Sequence, residues 1–195
     1  MIISDKKYLK VMFGSESFAN GSGIQYKIDE LNIADYWNPN DDNPEKTGGF
    51  NFSTEDKIFR WLVRGDTIYD VEIPEDAEII NVESSSAPNG VFRANKIILS
   101  NPRIVTDDIA MYLYKKSDLP EKSYFKALAG CSVRGYINTS KLLVNEKINK
   151  DNIVLALAEF NDFIKPDPNH TQSGDSESVK EILTMLDNIK ENGDI

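Results

Sequence analysis

The chain has 195 residues, 40% hydrophobic and 28% charged, with 22 basic against 32 acidic side chains and a net charge of −10. That apolar content suffices for a buried core, a single cysteine excludes an internal disulfide framework, and a single histidine leaves little metal or acid–base chemistry. The acidic balance opposes direct binding of nucleic acid, whose affinity comes largely from basic groups that release counterions.

Tyr8 to Phe13 (YLKVMF) reads as a short apolar strand, and Gly21-Ser22-Gly23 as a flexible turn before Ile24 to Ile28. Asp35 to Gly49 is a long loop rich in Pro, Asn and Asp, which Tyr36 and Trp37 are expected to anchor. Ser53-Thr54-Glu55-Asp56 resembles a capping box, with Ile58, Trp61 and Leu62 as an apolar helical stripe and Gly65 as the stop. Thr67 to Ile73 alternates Tyr69, Val71 and Ile73 with Asp70 and Glu72, the pattern of a half-buried strand. Ala77 to Val82 and Lys96 to Ser100 are further strands, joined across the turn signal Pro88-Asn89-Gly90.

After Thr106 the apolar period changes from two to 3.6. Thr106 caps a helix to Lys116, and Pro120 opens another to Arg134, stopped by Gly135. Asn138 to Lys147 and Asp151 to Ile164 follow. The expected fold is α+β: a mixed or antiparallel β unit with one helix over residues 1–105, then a helical unit over 106–165. A polar linker (166–178) and a loosely attached amphipathic helix with its tail (179–195) complete the chain.

Catalytic constellations are sparse. His170, the only histidine, falls in the polar linker, and Cys131 sits in an apolar helix as a buried structural residue. Clustered Cys or His for zinc are missing, the spacing of Asp35, Asp41 and Asp42 does not fit the calcium loop, and no Gly-Lys-Ser/Thr loop cradles phosphate. The sequence thus assigns no catalytic, cofactor-binding or metal residue. Arg64-Gly65-Asp66 is explained by a helix end. No stretch reaches the roughly 20 apolar residues of a membrane span, and MIISDKKYLKVMF carries charges where a signal peptide needs an apolar run, so a cytoplasmic protein is expected. Ile, Asn and Lys, whose codons are AT-rich, make up 56 residues, which points to a low-GC bacterium or its phage.

The block GGFNFSTEDKIFRWLVRGDTIYDVEIPEDAEII, followed by GVFRANKIILSNPRIVTD, resembles a protein family of low-GC Gram-positive bacteria and their phages, over about Tyr8 to Ile164. That likeness brings no activity with it. Within the block, Ile73 to Ile80 followed by Lys96-Ile97-Ile98-Leu99 is similar to the core of ADP-ribosyltransferase-like folds, and Phe52-Ser53-Thr54 resembles part of a Ser-Thr-Ser strand of that class. The resemblance implies a related scaffold. It departs at the catalytic glutamate, where this chain has Arg93-Ala94-Asn95-Lys96, and at the early histidine or arginine.

Between Arg64 and Arg93 stand seven acids and no base. Asp66, Asp70, Glu72, Glu75, Asp76 and Glu78 are the candidate partner-binding residues, forming an acidic face that engages a basic protein by electrostatic steering. An acidic protein without catalytic residues resembles mobile-element inhibitors of nucleic-acid-binding host defence proteins, anti-CRISPR proteins among them. The alternative is an ADP-ribosyltransferase-like, NAD-using enzyme with an unconventional site.

Overall fold

In the computed structural model, which describes residues 6–17, 23–41, 43, 46–165 and 176–192, strand β1 (Tyr8–Met12) feeds two cores at once. Leu9 and Val11 join the helices, whereas Met12 joins an aromatic cluster with Tyr26, Phe50, Phe52 and Phe92. Alternation of strand side chains between two faces produces the split. Tyr8 packs edge-on against both Phe52 and Phe92, each at 5.2 Å between ring centroids.

Six more strands, β2 (Leu31–Ile33), β3 (Phe50–Thr54), β4 (Thr67–Glu72), β5 (Ile79–Asn81), β6 (Val91–Ala94) and β7 (Lys96–Ile104), complete an antiparallel sheet in the order β2-β7-β4-β1-β3-β6-β5. In a flat sheet the four places between β6 and β7 would span about 19 Å, at ~4.8 Å per strand. Only Asn95 separates the two strands in sequence, and two peptide units reach about 7 Å. The sheet must therefore curl until its flanks meet, with 91–104 acting as one bent strand shared by both sides. The aromatic cluster fills the inside of the curl. Asn95 pins the corner: its N–H donates to the Glu78 carbonyl (3.2 Å), its carbonyl accepts from Ala34 N–H (2.9 Å) and its Oδ1 accepts from Glu78 N–H (2.9 Å).

The helix expected from Ser53 is corrected. Ser53 and Thr54 belong to β3, and the chain turns before a 3₁₀ helix at Ile58–Arg64 that has no side-chain cap. Ser53 Oγ donates to the Gly90 carbonyl at 2.7 Å, and Thr54 N–H donates to the same oxygen at 3.1 Å. Pairing with β1 and β6 uses the hydroxyl that a cap would need, so tertiary contact overrides local propensity. Gly65 does end the helix, but its φ of 177° is ordinary extended backbone. What requires glycine is proximity, because a Cβ there would collide with the backbone of Met12.

The helical half follows its expected boundaries closely. Thr106 Oγ1 accepts from Ile109 N–H (3.3 Å) to start α1 (Asp107–Lys116). Gly135, at φ 77°, closes α2 (Glu121–Val133), and α3 (Ile137–Lys147) and α4 (Ile153–Phe163) follow. Glu177–Asn192 forms α5, whose Val179, Ile182, Leu186 and Ile189 are buried in the core shared by the sheet and the other helices. This corrects the loosely attached C-terminal helix: α2, α3 and α4 present an apolar face that α5 covers. Most of the linker, His170, Asp42 and the Gly21-Ser22 turn lie outside the described residues.

Asp107 ties two helices together. Its carboxylate accepts from Asn138 N–H (2.8 Å), Thr139 N–H (3.0 Å) and Thr139 Oγ1 (2.6 Å) at the start of α3. Partial burial acts to raise its pKa, but these donors outweigh it and hold the carboxyl below the usual range. A depressed native pKa contributes stability above the unfolded value, near 3.9, and loses it as pH falls through the native value. Asp107→Ala is expected to cost about 1–2 kcal/mol at pH 7, as for loss of a helix cap. In thermal melts the gap to the wild type should begin to narrow below about pH 4, where the unfolded-state carboxyl protonates, and close only once the native carboxylate is protonated at its lowered pKa.

Candidate functional site

The curled sheet distributes the six candidate acids unevenly. Asp70 leaves β4 on the same side as Ile68 and meets Arg103 Nη2 at 2.7 Å, Arg103 Nη1 at 3.3 Å and Asn101 Nδ2 at 2.8 Å. A register shift opposite Ile68 and Asp70, with Asn101 at φ 53°, aims both donors at it. Burial pushes Asp70 up, but Arg103, Asn101 and the more distant Lys7 outweigh it and keep the carboxyl low. Asp66 Oδ1 accepts from Gly14 N–H (3.0 Å) and Thr67 Oγ1 (2.9 Å). Asp76 pairs with Lys96, and Glu78 Oε2 accepts from Trp37 Nε1 at 2.6 Å. Only the Glu72 and Glu75 side chains form no hydrogen bond or ion pair among the described residues. Trp37 therefore anchors the long loop as expected, whereas Tyr36 is 57% exposed.

A different feature emerges where β1 and β3 part. Their pairing covers Tyr8 with Thr54 and Leu9 with Ser53, then stops. Lys10 to Met12 continue along β4, and Phe50 to Phe52 along β6, which leaves a slot in the sheet. A cavity of about 810 Å³ opens there, lined by Lys10, Arg64, Arg93, Tyr26, Trp61 and Glu83 among others. Lys10 reaches across the slot: its Nζ donates to the Asn51 carbonyl at 2.6 Å and stands 5.0 Å from the Tyr26 ring centroid. Burial first, and the Arg93 charge second, lower its pKa to about 8. Arg93 Nη1 donates to the Gly48 carbonyl at 3.2 Å, and Arg64 lies exposed at the end of the 3₁₀ helix.

Charge distinguishes this cavity from a second one of about 690 Å³ beside Lys57. In the latter three lysines meet three carboxylates: Lys7 pairs with Glu55, Lys57 pairs with Asp56 and Asp118, and Lys6 alone has no ion pair among the described residues. In the former neither Lys10 nor Arg64 pairs with a carboxylate among the described residues. Glu83 is the one acid among the described lining residues.

No family model, curated protein or solved structure matches the chain. No group of three or more metal-ligating side chains occurs among the described residues, and no helix among them is long and apolar enough to cross a membrane. Cys131 is buried, and burial pushes its thiol well up. Sequence reasoning passed over Lys10, Arg64 and Arg93, which lie 29 to 83 positions apart and form no motif. The available signal was a lysine in the middle of an otherwise apolar strand.

Proposed function

We propose that the protein is a ligand-binding protein whose cavity between β1 and β3 takes a small, multiply charged anion of phosphate type. The observation that carries this reading is the convergence of Lys10, Arg64 and Arg93 on one cavity in a chain of net charge −10. A buried cation without an acid is costly and becomes favourable when an anion arrives. Guanidinium groups match phosphate oxygens in bidentate fashion, while Tyr26 and Trp61 supply ring surface for a planar group. The volume is within the range of small-molecule sites. The resemblance to ADP-ribosyltransferase-like scaffolds adds NAD to the ligands to test, with Glu83, which lines the cavity, as the carboxylate of an unconventional site. Titration of isotope-labelled protein with inorganic pyrophosphate, ADP and NAD, followed by NMR, tests the proposal. Saturable shifts at Lys10, Arg64 and Arg93 support it, and shifts scattered over surface lysines oppose it.

A second reading rests on Glu72 and Glu75, which carry no ion pair among the described residues and flank the Pro74 corner. They offer a steering patch for a basic protein, such as a nucleic-acid-binding defence protein. Because Asp70 serves Arg103, the informative variant is the double reversal Glu72→Lys with Glu75→Lys. It is expected to leave the melting temperature nearly unchanged and to abolish capture of a basic partner, with wild-type capture weakening from 50 to 300 mM salt. Asp70→Lys, by contrast, should lower stability by about 1–2 kcal/mol, since it leaves two cations facing each other in a partly solvated setting. Undiminished capture by the double variant would remove the acidic patch from consideration.

A further inference from the structure

Lys10 is an unusual lysine on geometric grounds alone. It lies on a central strand, is 8% exposed, lines the cavity, and has one carbonyl and one ring face as its partners. The groups facing it are Arg93 on β6, Tyr26 before β2, and Tyr69, which is opposite in register on β4. Arg64 and Glu83 line the same cavity. Among the described residues no carboxylate lies within ion-pair distance of the ammonium. An amine removed from water and set beside another cation is the general arrangement that makes lysine a nucleophile at neutral pH.

We propose that Lys10 is the amine nucleophile of this cavity and condenses with a carbonyl compound bearing a neighbouring anionic group, such as a 2-oxo acid or a phosphorylated aldehyde. The inference rests on the anion-binding reading of the cavity and adds covalent chemistry to it. The ammonium first releases a proton to solvent. The neutral nitrogen then adds to the carbonyl carbon, the carbonyl oxygen departs as water with the two amine hydrogens, and a C=N bond replaces C=O. Nothing is oxidised or reduced. The arginines would hold the anionic group, and the Tyr26 ring face accommodates the positive charge of a protonated imine. Burial and Arg93 favour the neutral amine, consistent with a lowering to about 8.

The test uses the full chain with pyridoxal 5′-phosphate and glyoxylate as probes, each trapped with cyanoborohydride at pH 7 and mapped by peptide mass spectrometry. Lys10 is expected to label at least tenfold faster than the median of the other 16 lysines. Its labelling rate should reach half-maximum near pH 8. Pyridoxal without its phosphate should label Lys10 at least fivefold more slowly, and Lys10→Arg should lose the fast adduct. Labelling spread evenly over surface lysines, with Lys10 unmodified in the wild-type protein, would overturn the inference even if the arginine variant failed to fold. Pyrophosphate binding with an inert Lys10 leaves the anion site standing and removes the covalent step. Fast labelling by both pyridoxal forms alike removes the anion requirement, and with it the proposal as stated.

Discussion

Arg64→Glu is expected to weaken pyrophosphate binding about 30-fold, and Arg64→Ala about tenfold, with both proteins folding normally. The guanidinium is exposed at the end of the 3₁₀ helix, so its replacement removes no core contact. Losing one charge-assisted hydrogen bond to a phosphate oxygen costs about 1.5–3 kcal/mol, and the reversed charge adds repulsion at the cavity mouth. Calorimetric titration at 50 mM salt reads the change directly. Affinities equal to that of the wild type would place the anion elsewhere and leave Arg64 as a surface residue.

The largest expected effect on stability belongs to Gly65. A methyl group there meets the Met12 backbone, which is held between β4 and the 3₁₀ helix and has nowhere to move. Gly65→Ala should cost about 3 kcal/mol, at the upper end for overpacking, because the obstacle is main chain instead of a flexible side chain. Urea unfolding with an unchanged m-value would show this as a shift in midpoint alone. An equally stable variant would mean that the strand and the helix can separate locally at no cost.

These two residues show what could be read in advance and what could not. Tyr69, Val71 and the capping Thr106 announce their elements through local spacing, and the structure places a strand and a helix there. Gly65 was legible as a helix end, but its reason, a close approach to a strand 53 positions earlier, is not local. Ser53 carried a true capping signal that lost to strand pairing with residues on either side of it in the sheet. Alternation correctly separated Asp70 and Glu72 from Tyr69 and Val71. It was silent about Arg103, which a bulge 33 residues later turns toward Asp70. The cavity was the least legible feature. It exists because pairing between β1 and β3 stops after Leu9 and Ser53, and no property of either segment by itself specifies where two strands part company.

The single-residue corner at Asn95 also bears on how the molecule is made. Until β7 has been synthesised and has bent back to β4, the curl has an open side, and Phe50, Phe52 and Phe92 face water. The ring can close only by joining residues near position 8 with residues near position 100, through β4. Closing so long a loop costs entropy before the aromatic interior returns any of it, which slows the step relative to the formation of local helices. On a ribosome, the first ninety residues would emerge as an unfinished sheet with an apolar face, the condition that draws chaperones. The late helices would then assemble on a surface whose two ends have just met.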